Sequence, residues 1–166
     1  MIVSRDILEP QMQPSLEEFK NHIRVTSDDL DADLVPKLKA AIGNAEKFIG
    51  KVIALSVFVQ KERLSSSSVR LRSPLFEVES VEVDGEPAEE YSVVDNRLIL
   101  PASLTGRQLQ VRYVAGMPDV PYDIRAAVLM MAASLFNNPV DSVETLPRAS
   151  SRLLRPYRSW GLDNGE

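Results

Sequence analysis

Past residue 33 the apolar positions recur at three- and four-residue steps. Leu34, Leu38, Ala41, Ile42, Ala45, Phe48, Ile49 and Val52 fall on one stripe, with Lys37, Lys39, Glu46 and Lys47 turned away from it. This spacing predicts the longest helix in the chain. Thr26, Ser27 and Asp28 before it are capping types, and Asp28, Asp29, Asp31 and Asp33 suit the positive end of a helix dipole. Pro36 is tolerated in a first turn but kinks an interior, so the helix either starts near Asp33 or bends there. Upstream, Ser15 and Glu18 have capping-box spacing ahead of Phe19 and Ile23, which predicts a short helix from about Ser15 to His22. Residues 1–14 hold Pro10 and Pro14 among polar positions and predict an extended arm of the kind that packs on neighbours.

After Gly50 the period changes from helical to alternating. Val57 and Val59 alternate with Phe58 and Gln60, and the polar run Ser65 to Ser68 predicts an exposed loop before Val69 and Leu71. Val81 and Val83 alternate with acids up to the turn dipeptide Asp84-Gly85. Tyr91, Val93 and Val94 lead into a second turn, Asp95-Asn96, followed by Leu98, Ile99 and Leu100. Leu109, Val111, Tyr113 and Ala115 then alternate up to Gly116. Connections this short predict an antiparallel meander.

Pro121 stands where the first turn of a third main helix begins, and Ile124, Ala127, Val128, Met131, Ala132 and Leu135 give that helix an apolar stripe. Ala126, Leu129, Met130 and Ala133 are nearly as apolar, which places the helix in a core or at a subunit interface. Ile124, Val128, Met131 and Leu135, together with the β loops, are the candidate interface positions. Asn137-Asn138-Pro139 ends the helix. A short helix from Arg148 to Arg155 follows and is halted by Pro156.

The fold class predicted is α+β: a small bundle of about four helices, with an antiparallel β region inserted between the second and third main helices. At 166 residues and 18.5 kDa the chain is read as one domain. Its segments are an arm at 1–14, helices at 15–52, the β insertion at 53–116, a core helix at 121–138 and a tail at 140–166. No run approaches the roughly 20 apolar residues of a membrane span, and Met1 to Pro14 lacks a signal peptide's apolar run. The expectation is a soluble, intracellular protein with no membrane partner.

Composition removes several chemistries. With no cysteine there is no disulfide, no thiolate nucleophile and no cysteine zinc site. His22 is the only histidine, so a catalytic triad would rest on it alone, and a multi-histidine metal site is excluded. Beside Phe19 and Ile23 it is read as structural. The aspartates from Asp28 to Asp33 miss the spacing and the glycine of a calcium loop. Phosphate-binding glycine loops and the hydrolase nucleophile elbow are absent from the sequence. No catalytic residue, cofactor or metal is assigned.

The 19 basic and 24 acidic residues give a net charge of -5, which opposes sequence-independent DNA binding over the whole surface. A local exception lies in the tail. Arg148, Arg152, Arg155 and Arg158 recur at steps of four, three and three with no acid between Glu144 and Asp163, and the first three share one helix face. Leu153, Leu154, Tyr157 and Trp160 add apolar and aromatic anchors of the hot-spot type. Arg148, Arg152, Arg155, Tyr157 and Trp160 are therefore the candidate partner-docking set. The other reading is a tail folded back on the chain's own acidic surface.

Taken in order, these elements resemble the head-tail connector, or adaptor, proteins of tailed phages and prophages. Three stretches carry the resemblance: Glu9 to Lys51, Val69 to Glu86 and Leu109 to Pro139. Within them, Lys20, His22, Ile23 and Arg24 close the first helix before an acidic cap, and Tyr113, Ala115 and Gly116 precede the proline-started helix. Leu146 to Arg158 is similar to family tails, whereas Asn137-Asn138-Pro139 departs from the family's usual helix end. The resemblance implies a non-enzymatic virion protein at the head-tail interface, present in the host cytoplasm before assembly. It implies a ring of identical subunits beneath the portal protein, joined below by a head-closure or tail protein, with double-stranded DNA passing through the lumen. An acidic surface suits a channel through which DNA must move. Removing Arg148 to Glu166 is then expected to abolish portal binding and leave melting intact. Competing readings are a head-closure or tail-completion factor, a small carboxylate hydrolase and a helical DNA-binding regulator, the last opposed by the acids from Asp28 to Asp33.

Overall fold

The computed structural model describes residues 1–8, 12–138 and 147–159, which cluster into two compact units. A β unit takes residues 1–8 and 54–118, and a helical unit takes 12–53, 119–138 and 147–159. In chain order the β unit therefore interrupts the helices, and the class is α+β as the switch from helical to alternating period predicts.

The helical unit holds α1 (Leu16–Ile23), α2 (Asp31–Ile49), α3 (Tyr122–Asn137) and α4 (Arg148–Leu154). Ser15 caps α1 with both halves of the capping box: the Glu18 N–H donates to the Ser15 hydroxyl at 3.1 Å, and the Ser15 N–H donates to the Glu18 carboxylate at 2.8 Å. α2 starts later than its cap residues suggest, with Leu30 at the N-cap and no side-chain cap. Ser27 bonds Asp29 instead, and Asp28 and Asp31 hold Lys20 of α1, so these acids tie two helices together. Donating hydrogen bonds to Asp28 and Asp31 raises the Lys20 pKa, and accepting one from Lys20 lowers that of Asp28. Pro36 lies inside α2, beyond its first turn, where the missing N–H forfeits the bond to the Ala32 carbonyl. The predicted stripe of α2 is buried at Leu34, Leu38, Ala41, Ile42, Ala45 and Ile49.

The β unit holds β1 (Ile2–Ile7), β2 (Ser56–Arg63), β3 (Ser68–Arg70), β4 (Leu75–Val83), β5 (Glu86–Pro87), β6 (Ser92–Val94), β7 (Arg97–Ile99) and β8 (Gln108–Ala115). They form a five-stranded sheet, β1-β2-β8-β4-β5, and a three-stranded sheet, β3-β7-β6. All pairs are antiparallel. Two sequence expectations change here. Most of the N-terminal arm is an edge strand, because residues 2–7 contain no proline and complete the free edge of β2. The strands do not form a meander, since β8 enters between β2 and β4 and pairs with both. Alternation and turns specify strands and hairpins but not which strand is central. β8 takes that place with Leu109, Val111, Tyr113, Val114 and Ala115 buried.

Asp84-Gly85 and Asp95-Asn96 make the two hairpin turns the sequence marks, all four residues at positive φ. Tyr113, fully buried, stacks on Phe58 at 5.5 Å; its hydroxyl donates to Gln60 at 3.1 Å and accepts the Arg72 N–H at 3.3 Å. Burial raises the Tyr113 pKa, which keeps the phenol a donor. Among the described residues no helix is long and apolar enough to cross a membrane.

Candidate partner-docking surface

The tail enters the helical unit by its apolar side. Pro147 precedes α4, and a 3-10 turn over Arg155–Tyr157 continues it. Ser150 and Leu154 are fully buried. The Ser159 N–H and hydroxyl both donate to the Ile49 carbonyl, at 2.9 and 3.1 Å, closing the end of α2. Arg158 lies over the Phe48 ring at 5.6 Å. The tail thus folds back through apolar contacts and a helix end.

Opposite that buried side, Arg148, Arg152 and Arg155 are all exposed, while Tyr157 is half-buried. Steps of four and three put the arginines along one face of α4 and its continuation, and the burial of Ser150 and Leu154 fixes that face outward. The arrangement suits a partner with carboxylates: each guanidinium offers a planar set of donors to a carboxylate pair. Trp160 lies outside the described residues. One expectation changes. Because Leu154 is a core residue, removing residues 148–166 uncovers the bundle and destabilises it, so point substitutions at the arginines are the informative perturbation.

The candidate interface positions on α3 fall differently. Ile124, Val128 and Met131 are buried within the chain, so they have almost no surface to give a neighbour, and Leu135 is half-buried. A helix apolar on most sides has one stripe for its own core. The rest of α3 keeps surface, with Tyr122 and Ala126 exposed and Leu129, Met130 and Ala133 partly so. Tyr122 was not singled out by sequence, because one aromatic at a helix start carries no period. It is 84% exposed, with Arg125 over its ring at 5.5 Å. Arg125 also pairs with Glu18, joining α3 to α1. Burial raises the Glu18 pKa, but bonds from Ser15 and the Arg125 guanidinium outweigh it, and the carboxyl sits below its ordinary value.

His22 is exposed at the end of α1. Among the described residues no group of three histidines, cysteines or acids is placed to hold a metal ion.

No family model matches the sequence, and no curated protein does. Solved structures do match in fold. A chain in the neck of an empty gene transfer agent (GTA) particle, computed with C6 symmetry, superposes with a TM-score of 0.77 at 19% identity, over 99% of this chain and 97% of that one. A chain in the neck of a native GTA particle, computed with C12 symmetry, gives 0.75 at 22% identity over 99% and 98%. A chain of the virion of the native GTA particle gives 0.73 at 20% identity over 99% and 97%. The fold is therefore shared end to end with chains of that particle.

Proposed function

We propose that this chain is a structural subunit of the neck of a phage-like particle, and within it a head-tail connector (adaptor) that forms a ring beneath the portal. The observation that carries the reading is the end-to-end fold match to a chain in a GTA neck, 99% of this chain against 98% of that one. The C6 and C12 symmetries of those necks support a closed ring of copies joined head to tail, and such a ring needs two unlike surfaces on each subunit. The outward face of Arg148, Arg152 and Arg155 is the docking surface for the portal protein. A head-closure or tail protein meets the opposite end of the ring, and double-stranded DNA passes through without sequence-specific contact. The subunit does no chemistry: its work is to present fixed surfaces. It resides in the virion at the head-tail interface, and in the host cytoplasm before assembly.

The test is co-sedimentation with the portal ring encoded beside it. The unaltered chain is expected to pellet with the portal, and the triple variant Arg148→Glu, Arg152→Glu, Arg155→Glu to stay in the supernatant with unchanged melting. Binding by the triple variant equal to the parent's moves the docking surface elsewhere. Binding to a preformed portal–adaptor complex, but not to the portal alone, makes the chain a head-closure protein.

A further inference from the structure

α2 ends at Gly50, which takes the left-handed conformation at φ +72° and returns its N–H to the Glu46 carbonyl at 2.8 Å. A helix end leaves its last carbonyls without partners from within the helix. One of them, on Ile49, is claimed from far along the chain: the Ser159 N–H and hydroxyl both donate to it, at 2.9 and 3.1 Å, across 110 residues. Ser159 therefore caps α2 from outside, and its approach needs room. A Cβ built on Gly50 would lie 2.6 Å from the Ser159 Oγ and 3.9 Å from the Ser159 Cβ, so the hydroxyl occupies space that any other residue at position 50 would enter. Asparagine sometimes replaces glycine at a left-handed helix end, but here its Cβ would meet the hydroxyl. The glycine meets two demands, backbone conformation and clearance, and only the first can be read from the helix alone.

The seat controls what precedes it. Between Leu154 and Ser159 lie Arg155, Pro156, Tyr157 and Arg158, and two of these, Arg155 and Tyr157, belong to the candidate docking set. Leu154 anchors one end of this span in the core, and the bonds of Ser159 to Ile49 anchor the other. Support inside the span is thin: the Arg158 N–H reaches the Arg155 carbonyl at 3.3 Å, longer than an ordinary N–H to oxygen bond, and Pro156 has no N–H to donate. The Arg158 guanidinium over the Phe48 ring adds a contact to the same end of α2. Released from Ile49, the span would be held firmly on one side only. Arg148 and Arg152 depend on it less, because they lie within α4, which Ser150 and Leu154 hold in the core.

We infer that Gly50 and Ser159 are positioning residues for partner docking: the Ser159 cap, admitted by the bare Gly50 turn, fixes Arg155 and Tyr157 on the surface that meets the portal. The inference rests on the docking reading above and adds to it the contact that holds the far half of that surface in place. Neither residue touches the partner; both act through the span they secure.

Two substitutions break the seat from opposite sides. Gly50→Ala enters the space of the hydroxyl, whereas Ser159→Pro removes both donors and suits the preceding Arg158, already extended at φ -66° and ψ 127°. Each is expected to weaken co-sedimentation with the portal ring about tenfold. In Gly50→Ala, the Ser159 amide should also lose its protection from hydrogen exchange. Adding Ser159→Ala to Gly50→Ala removes the Oγ and leaves only the Cβ at 3.9 Å, an ordinary contact, with the N–H free to return to Ile49. The double variant should regain both protection and binding. Gly85→Ala is the control for backbone conformation alone, since Gly85 has φ +87° with nothing within 4 Å of its added Cβ, and it should bind as the parent does. Full binding by Gly50→Ala with its Ser159 amide unprotected, or by Ser159→Pro, overturns the positioning role and leaves the docking surface standing. A double variant as weak as Gly50→Ala overturns it as well, because left-handed strain would then account for the loss. An unaltered chain that does not pellet with the portal contradicts the docking reading and this role with it.

Discussion

Gly116 and Gly43 answer the same substitution, alanine, with opposite signs. Gly116 follows β8 with φ at +133°, a conformation that costs an ordinary residue about 1–3 kcal/mol. A Cβ built there lies 2.7 Å from the Leu55 Cα and 2.8 Å from the Ala54 carbonyl oxygen and the Leu55 nitrogen. All three are backbone atoms leading into β2, so no side chain can swing away. Separating the two segments strains the β2–β8 pairing at Ser56 and Ala115, and such overpacking adds about 1–3 kcal/mol. Gly116→Ala is therefore expected to destabilise by about 2–6 kcal/mol, a large share of a domain's typical 5–15. Gly43 lies within α2 with nothing inside 4 Å of its added Cβ. Alanine there gains about 1 kcal/mol of helix propensity. Urea titration of both variants beside the parent reads the difference as a shift in midpoint at constant slope. A Gly116→Ala chain within about 0.5 kcal/mol of the parent, or a destabilised Gly43→Ala chain, refutes the reasoning.

Leu154→Ala should cost about 2–5 kcal/mol by opening a cavity under α4, while Arg152→Ala, on the exposed side of the same helix, should stay within about 0.5 kcal/mol; equal effects would mean the tail's packing is misassigned. Ser15→Ala removes one half of the capping box and should lower stability by about 1 kcal/mol in the same titration. Acidification tests Glu18. Its folded pKa lies below the unfolded one, so its contribution is present above the unfolded value and is lost as pH falls through the folded value. Glu18→Gln should therefore lose less stability on acidification than the parent, and an identical pH profile would show that the Ser15 and Arg125 contacts do not persist in solution.

The helices were legible because each carries its own local signal. The α2 stripe, the Ser15–Glu18 box and the proline before α3 act within a few residues, and the structure places all three close to where they read. Hairpins announced by Asp84-Gly85 and Asp95-Asn96 were equally local. The central place of β8 depends on partners distant in sequence, such as Val81 and Gln60 beside Val111, 30 and 51 residues away, which no local period encodes. The acids from Asp28 to Asp33 read as a helix cap because their type fits one; that Lys20 would claim two of them is a tertiary fact. For the candidate surfaces, the arginine steps in the tail predict one shared helix face, and the structure leaves Arg148, Arg152 and Arg155 exposed. On α3 the same periodicity marks Ile124, Val128 and Met131, which the chain's own core covers, since an apolar stripe does not say whether its own chain or a neighbour covers it. The exposure of β6 was invisible for the complementary reason. Val93 and Val94 look like any buried strand residues until the strand order leaves β6 at an edge.

The most direct measurement is negative-stain imaging of the portal ring after incubation with the purified chain, because a connector is defined by what it binds and where. The expected image is a collar of density on one end of the portal, with rotational symmetry in its averages. A bare portal, from well-folded protein at high concentration, would contradict the connector assignment.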